Sequence, residues 1–300
     1  MIQSFLIVTA CMAAMGDATF QVKALRELGI AVKVGERGEP IAVDALKANL
    51  TDADLEKIAA LPNLRAVKLS KQPITDAGLQ KLLALTKLKS LGLDETQVTD
   101  AGLAALEKLP ALEELLLANT QIGDAGVVNL PRLAKLKRLR LSGTKVTDAG
   151  AAKLATLKTL EDLDLSKTAI GNEGIVALGQ LPKLVKLNLW TTRVTDRGME
   201  SLGLILGLKW LNLDNTAVSD TGLPKLRMLV NLEFLHLGRT KISDAALPHL
   251  TGLTRLQELH VTHTQITADG VKRLQAMLPR CKVLHGEGGT SSPPASAGPQ

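Results

Sequence analysis

The sequence predicts an α/β solenoid, a stack of short parallel strands on one face and short helices on the other, and three observations carry the prediction. First, an apolar residue ahead of a Thr-, Asp- or Gly-bearing turn recurs at Leu50, Ile74, Val98, Ile122, Val146, Ile170, Val194, Val218, Ile242 and Ile266, always 24 residues apart. Second, the apolar spacing changes inside each period: Leu91 and Leu93 are two apart, as on one face of a strand, whereas Leu103, Leu106 and Leu109 step by three, as on a helix. Third, 45% of the 300 residues are hydrophobic but only 2% are aromatic and none is Tyr, a supply suited to thin layers of Leu, Val, Ile and Ala. No single unit can bury its leucines alone, so neighbours must stack and their strands must pair in parallel.

Taken in order, residues 1–18 read as an export leader. Met1–Ala14 is apolar and of signal-peptide length, and Val8-Thr9-Ala10-Cys11 resembles the lipobox of bacterial lipoproteins, which implies lipidation at Cys11. No Lys or Arg precedes the stretch and Gly16-Asp17-Ala18 offers a second cleavage point; the alternative is a frayed N-terminal segment of a cytoplasmic protein. Residues 19–39 form an N-terminal cap: Val22–Leu28 has amphipathic helical spacing, and Ile30–Val34 with Ile41–Ala45 reads as a hairpin whose second strand starts the stack.

Ten units then fill residues 40–279. Within one, Thr99 and Asp100 begin the helical part, the Thr oxygen capping free amides and the carboxylate meeting the positive helix end. Gly102 is a poor residue for a long helix, so one to two turns are expected, and Pro62, Pro110, Pro131 and Pro182 are placed to stop the turn. At the far end LPRCKVL breaks the register, making residues 280–285 a C-terminal cap with Val283 on a last strand and Cys281 as a buried structural thiol. Residues 286–300, GEGGTSSPPASAGPQ, have the composition of a disordered tail.

The repeated pattern LxxLxLxxTx(V/I)TDAGLxxLxxL resembles the leucine-rich repeat family over about four-fifths of the chain, and its TDAGL segment is most similar to the F-box-type and bacterial 24-residue repeats. The resemblance implies a curved horseshoe with its parallel strands on the concave face, short helices on the convex face, and protein recognition as the activity. Thr stands at 96, 120, 144, 168, 192, 216, 240 and 264, where many family members carry Asn or Cys, and its hydroxyl is expected to bond the turn of the next unit. No F-box precedes these repeats, which leaves substrate recognition in a ubiquitin-ligase-like complex as an alternative only.

Three positions per unit, before, between and after the two core residues of the strand, point away from the core and form columns across the stack. The first column alternates in sign through Glu114, Arg138, Asp162 and Lys186, charges that can pair with one another and keep the middle of the face soluble. The C-terminal third differs. Both Trp residues and one of only three Phe residues fall at outward positions, an apolar concentration of the kind that marks a partner site. The expected ligand-binding set is Trp210 and Phe234 as side-by-side anchors, Trp190 one strand back, Asn188 and Asn212 between them, and a polar rim of Asp214, His236, Arg239 and His260.

Other chemistries find no footing in the residues. Lys and Arg total 36 against 30 Asp and Glu, a net charge of +6 that is interspersed rather than gathered into a groove-reading stripe, so nucleic acid is not expected as a partner. Two cysteines make neither a disulfide framework nor a thiolate zinc site, and His236, His260 and His263 lack a further ligand, so no metal and no cofactor is expected. The sequence has no nucleophile elbow, phosphate loop or HExxH, and its carboxylates recur at the structural period. The expectation is a monomeric, non-enzymatic module binding a protein or peptide, exported to the cell envelope or periplasm and touching membrane only through an N-terminal lipid. A structural or spacer protein of the envelope is the second reading, and a cytoplasmic location the alternative.

Overall fold

The computed structural model describes residues 20–286, so the leader expected over 1–18 with Cys11, and the tail beyond Gly286, lie outside the described residues. Residues 20–27 form a helix that leads into β1 (Ala31–Val34) and β2 (Pro40–Asp44), an antiparallel hairpin. Ten strands follow: β3 (Ala66–Lys68), β4 (Ser90–Gly92), β5 (Glu114–Leu116), β6 (Arg138–Arg140), β7 (Asp162–Asp164), β8 (Lys186–Asn188), β9 (Trp210–Asn212), β10 (Phe234–His236), β11 (Glu258–His260) and β12 (Lys282–Leu284). All twelve lie in one sheet in chain order, and from β2 onward each pairs in parallel with the next in the register of the repeat, Leu91 opposite Val67 on one side and Leu115 on the other. The sheet does not close, and the solenoid is open.

The core sits between the sheet and the short helices. In the unit around β4, Leu88, Leu91, Leu93, Val98, Leu103, Leu106 and Leu109 are at most 1% exposed, as the two spacings require. Helices are short: Asp100–Leu103 has four residues and Asp148–Leu154 seven, several units continuing in a 3-10 turn such as Leu106–Lys108. The helix of the last unit, Ala268–Met277, runs ten residues. Pro131 is placed differently from the expectation: together with Pro224 and Pro248 it lies at the start of a helical turn, where a missing N–H costs nothing, whereas Pro110 follows one.

The polar ladder between units is also different from the expected one. Each Thr of the 96-to-264 column donates to the carbonyl three residues back in its own turn, Thr96 to Leu93 at 2.7 Å and likewise to Thr264. That carbonyl takes the hydroxyl's one proton. The inter-unit bond belongs instead to the first helical Asp. Asp76 accepts from the Thr99 backbone N–H (2.8 Å) and hydroxyl (2.6 Å) of the next unit, and Asp52, Asp124, Asp196, Asp220 and Asp244 repeat the pair on Thr75, Thr147, Ser219, Ser243 and Thr267. Each carboxylate thus carries the N-cap residue of its successor.

That ladder explains the glycine beside it. A Cβ at Gly102 would lie 2.3 Å from Asp76 Oδ1, and the same collision with the preceding Asp recurs at Gly78, Gly126, Gly150 and Gly270. The bare glycine admits the carboxylate. After each of β3–β11 the chain turns through a left-handed residue, Lys71, Glu95, Asn119, Gly143, Lys167, Thr191, Asn215, Arg239 or His263, with φ between 50 and 67°. That kink aims the N–H of Glu95, for example, at the Ala118 carbonyl one unit on, 2.7 Å away.

Candidate functional site

The strand face is built from the three outward columns, and its middle is a network of opposite charges. Arg138 bonds Glu114 at 2.7 Å and approaches Asp162 at 3.3 Å; Lys186 lies 3.9 Å from Asp162; Arg140 reaches across two units to Asp94 at 3.1 Å. Burial pushes the Asp94 and Asp162 carboxyls upward, against the pull of those cations. Sign alternation at a strand spacing of about 4.8 Å makes this pairing available from sequence.

From β8 to β11 the face changes from charge to rings. Trp210 and Phe234, opposite one another on β9 and β10, stack with centroids 4.7 Å apart and planes 5° from parallel. The Lys186 ammonium sits 4.7 Å from the Trp210 centroid on the β8 side, and His260 tilts against Phe234 at 5.1 Å on the β11 side. His260 also stacks on His236 at 4.4 Å, and its Nε2 meets Glu258 Oε1 at 2.5 Å. A cation, two stacked aromatic rings and a tilted imidazole therefore run across four strands, Trp210 and Phe234 covering each other's faces. Trp190 stands apart, after β8, with the Lys167 ammonium 4.6 Å from its ring centroid.

The polar members are placed less openly than the sequence suggests. Asn188, Asn212, Asp214 and His236 are only 7, 0, 3 and 5% exposed. Their side chains are spent on their own turns: Asn188 Oδ1 accepts from the Trp190 N–H, Asn212 Oδ1 from the Asp214 N–H at 2.9 Å, and His236 Nδ1 from the Gly238 N–H at 3.1 Å. Accepting at Nδ1 leaves the proton on Nε2, and burial, with the nearby His260 and Arg239 charges, depresses the His236 imidazole to about 3. The 3.9 Å approach of His236 to Asp214 is thus a contact of a neutral ring. Asp214 is gripped instead by Arg239, whose Nε donates at 3.0 Å and whose Nη2 bonds the second oxygen. The left-handed backbone of Arg239 turns its side chain back over the strand face to do so. Burial raises the Asp214 carboxyl while this fork opposes the rise. The Trp190 indole Nε1 and the Asn212 Nδ2 are buried without a hydrogen-bond partner among the described residues.

The structure thus brings Trp210, Phe234, His236 and His260 into one ring cluster, sets Asp214 and Arg239 beside it, and leaves Trp190 on its own cation. The turn bonds of Asn188, Asn212 and His236 were missed from sequence; the available signal was a side-chain acceptor two residues before a turn amide. Cys281 is buried under the last strand, its thiol pushed up to about 11 chiefly by burial, as fits a structural residue. Among the described residues no group of three His, Cys, Asp or Glu is arranged to hold a metal, and no helix is long and apolar enough to cross a membrane.

Comparison with known proteins agrees with this architecture. The family described as Leucine Rich repeat matches residues 132–155, 156–179 and 253–274. No curated protein matches the chain. Among solved structures, the receptor kinase HAESA ectodomain from Arabidopsis, in complex with an N-terminally extended IDA peptide hormone, has a TM-score of 0.63 at 16% identity over 85% of this chain and 46% of its own. A TDR receptor has a TM-score of 0.57 at 18% identity over 82% and 42%, and the PEPR1–AtPEP1 structure 0.55 at 18% over 85% and 36%. The likeness is one of fold, and this chain spans less than half the length of each of those structures.

Proposed function

The chain is a leucine-rich repeat protein, and from that premise we propose that it is a non-enzymatic interaction module taking a protein or peptide on the strand face of β8–β11. One observation carries the reading: Trp210, Phe234, His260 and His236 are gathered at outward strand positions that the leucine core does not use. Because the rings cover one another's faces, the partner meets their edges, the positive side of the ring quadrupole, which favours carbonyl and carboxylate oxygens. The HAESA ectodomain, of like fold, was solved with a peptide hormone, which supports a peptide as partner. Arg239 and His260 form the rim, while Asn212 acts from beneath by holding the Asp214 turn.

The test is affinity capture on the immobilised chain in four forms: wild type, Trp210→Ala, Phe234→Ala and Arg138→Ala. A partner retained by wild type and Arg138→Ala should be lost from either aromatic variant, at a cost of about 2 kcal/mol or more, as truncation of an interface anchor does. Equal losses in all three variants, or the largest at Arg138, would move the site to the charged middle. A spacer role is favoured by the self-paired charges from Glu114 to Lys186, and would leave all four forms without a specific partner.

A further inference from the structure

A second surface lies at the edge where the chain enters the strands, away from the ring cluster. Leu204 and Leu206, in the loop between the helix Asp196–Leu202 and β9, and Met228 and Val230, ahead of β10, are 51 to 67% exposed. They occupy equivalent positions in neighbouring units and so lie side by side. In the other units those two positions carry Ala60 and Pro62, Ala84 and Thr86, Lys108 and Pro110, Arg132 and Ala134, Thr156 and Lys158, Gln180 and Pro182, Gly252 and Thr254, or Ala276 and the buried Leu278, never two exposed large apolar side chains. Solubility is served there and not here. Four large apolar side chains in one patch bring the exposed area towards the few hundred Å² at which a surface calls for a partner.

The surroundings specify its chemistry. Within three residues of these four positions, or of their counterparts one unit away, stand Lys183, Lys209, Lys225, Arg227 and Arg255 against Glu233, with Glu200 one residue farther out. Lys225 and Lys209 pair with those two glutamates, Arg255 bonds only the neutral Asn231 amide oxygen, and Lys183 and Arg227 have no carboxylate partner among the described residues. The nearby cavity of about 270 Å³ is lined by Thr254, Leu256, Met277, Leu278, Pro279, Arg280 and Cys281, none of the four patch residues. At 51 to 67% exposure the four side chains stand out from the surface as tips. Apolar tips within a cationic ring match an anionic bilayer, whose acyl boundary takes the tips while phosphate and serine headgroups meet the cations.

We propose that this edge docks on an anionic phospholipid bilayer through Leu204, Leu206, Met228 and Val230, with Lys183, Arg227 and Arg255 as the headgroup contacts. The experiment is co-sedimentation of the full chain with phosphatidylcholine vesicles containing about 30% phosphatidylserine, and with phosphatidylcholine alone. Wild type should pellet with the anionic vesicles, less so as salt is raised, and stay in solution with the neutral ones. Arg227→Gln should weaken partitioning about fivefold, the worth of one basic residue at such a surface. Leu206→Glu with Val230→Glu should weaken it at least about tenfold while circular dichroism melts stay at the wild-type temperature, and Trp210→Ala should leave it unchanged. Wild type remaining in the supernatant, equal binding to neutral vesicles, or unaltered binding by Arg227→Gln and the glutamate pair would overturn the proposal. So would self-association, seen by sedimentation velocity without vesicle binding and removed by the glutamate pair, since the patch would then join copies of the chain.

Discussion

Replacing Gly102 with Ala tests whether the inter-unit Asp ladder is what demands glycine in the TDAGL segment. The new Cβ would stand 2.3 Å from Asp76 Oδ1, 3.0 Å from its Cγ and 3.2 Å from Leu79 Cδ2. Asp76 must swing away, giving up the bonds from the Thr99 N–H and hydroxyl. Losing bonds to a charged acceptor costs about 1.5–3 kcal/mol, and alanine returns about 1 kcal/mol of helix propensity. A net destabilisation of about 0.5–2 kcal/mol follows. Ala246 shows how a unit escapes the clash: Asp220 still bonds Ser243 at 2.7 and 2.6 Å there, but the first turn, Asp244–Ala246, is drawn into 3-10 geometry. Urea denaturation of wild type, Gly102→Ala, Asp76→Ala and the double variant reads the coupling directly. Asp76→Ala alone should destabilise, and in its background Gly102→Ala should turn neutral or stabilising by up to about 1 kcal/mol. An equal cost in both backgrounds, or a gain in wild type, would refute the account.

Further outcomes follow from single positions. Gly203→Ala should cost more than Gly102→Ala, because its Cβ would meet the Lys225 backbone oxygen at 2.2 Å, whereas Gly252→Ala, with nothing within 4 Å, should be tolerated in the same melts. His236 titrates at about 3 when folded against 6.5 in its ordinary state, so the native chain binds fewer protons between those values and loses stability as pH falls below 6.5. Relative to His236→Gln, calorimetry should show that loss at up to about 1.4 kcal/mol per pH unit, and parallel pH profiles would count against a buried neutral ring. Thr191 holds a β-branched side chain at φ 56°, so Thr191→Asn should raise the melting temperature by relieving about 1 kcal/mol of strain, which outweighs the exposed bond its hydroxyl accepts from Asn215 Nδ2. Deleting the whole unit 136–159 should leave a shorter chain with a cooperative circular dichroism melt, while deleting only 136–147 should not; equal unfolding by both would contradict nearest-neighbour stacking.

Much of the architecture is legible because a solenoid makes every contact local or one period away. Leu91 and Leu93 predict their own burial, and Leu91 its pairing with Val67 and Leu115, since matching spacing in adjacent units admits one register. The last strand at Val283 and the adjacency of Trp210 and Phe234 follow by the same reasoning, while the antiparallel hairpin of β1 and β2 follows from the Gly-bearing turn between two apolar runs. The Thr column misled because its period is as strict as that of Asp. Repetition identifies a position as structural without saying which atoms it bonds.

From the residues alone come the period, the change of spacing, the identity of the core and the columns that share a face, all consequences of chain geometry repeated at 24 residues. What required the folded chain is the fate of each polar and ring side chain. Asn212 and Asp214 lie in outward columns, yet neighbours close over them; Asp76 holds the N-cap residue of the next unit's helix; Arg239 turns back on Asp214; and the exposed Leu206 and Val230 come from adjoining loops that Asn231 bonds together. Exposure and hydrogen bonding depend on what stands on either side of a residue in space, at distances of a few ångströms. A linear pattern specifies which residues are neighbours but not how far each side chain reaches.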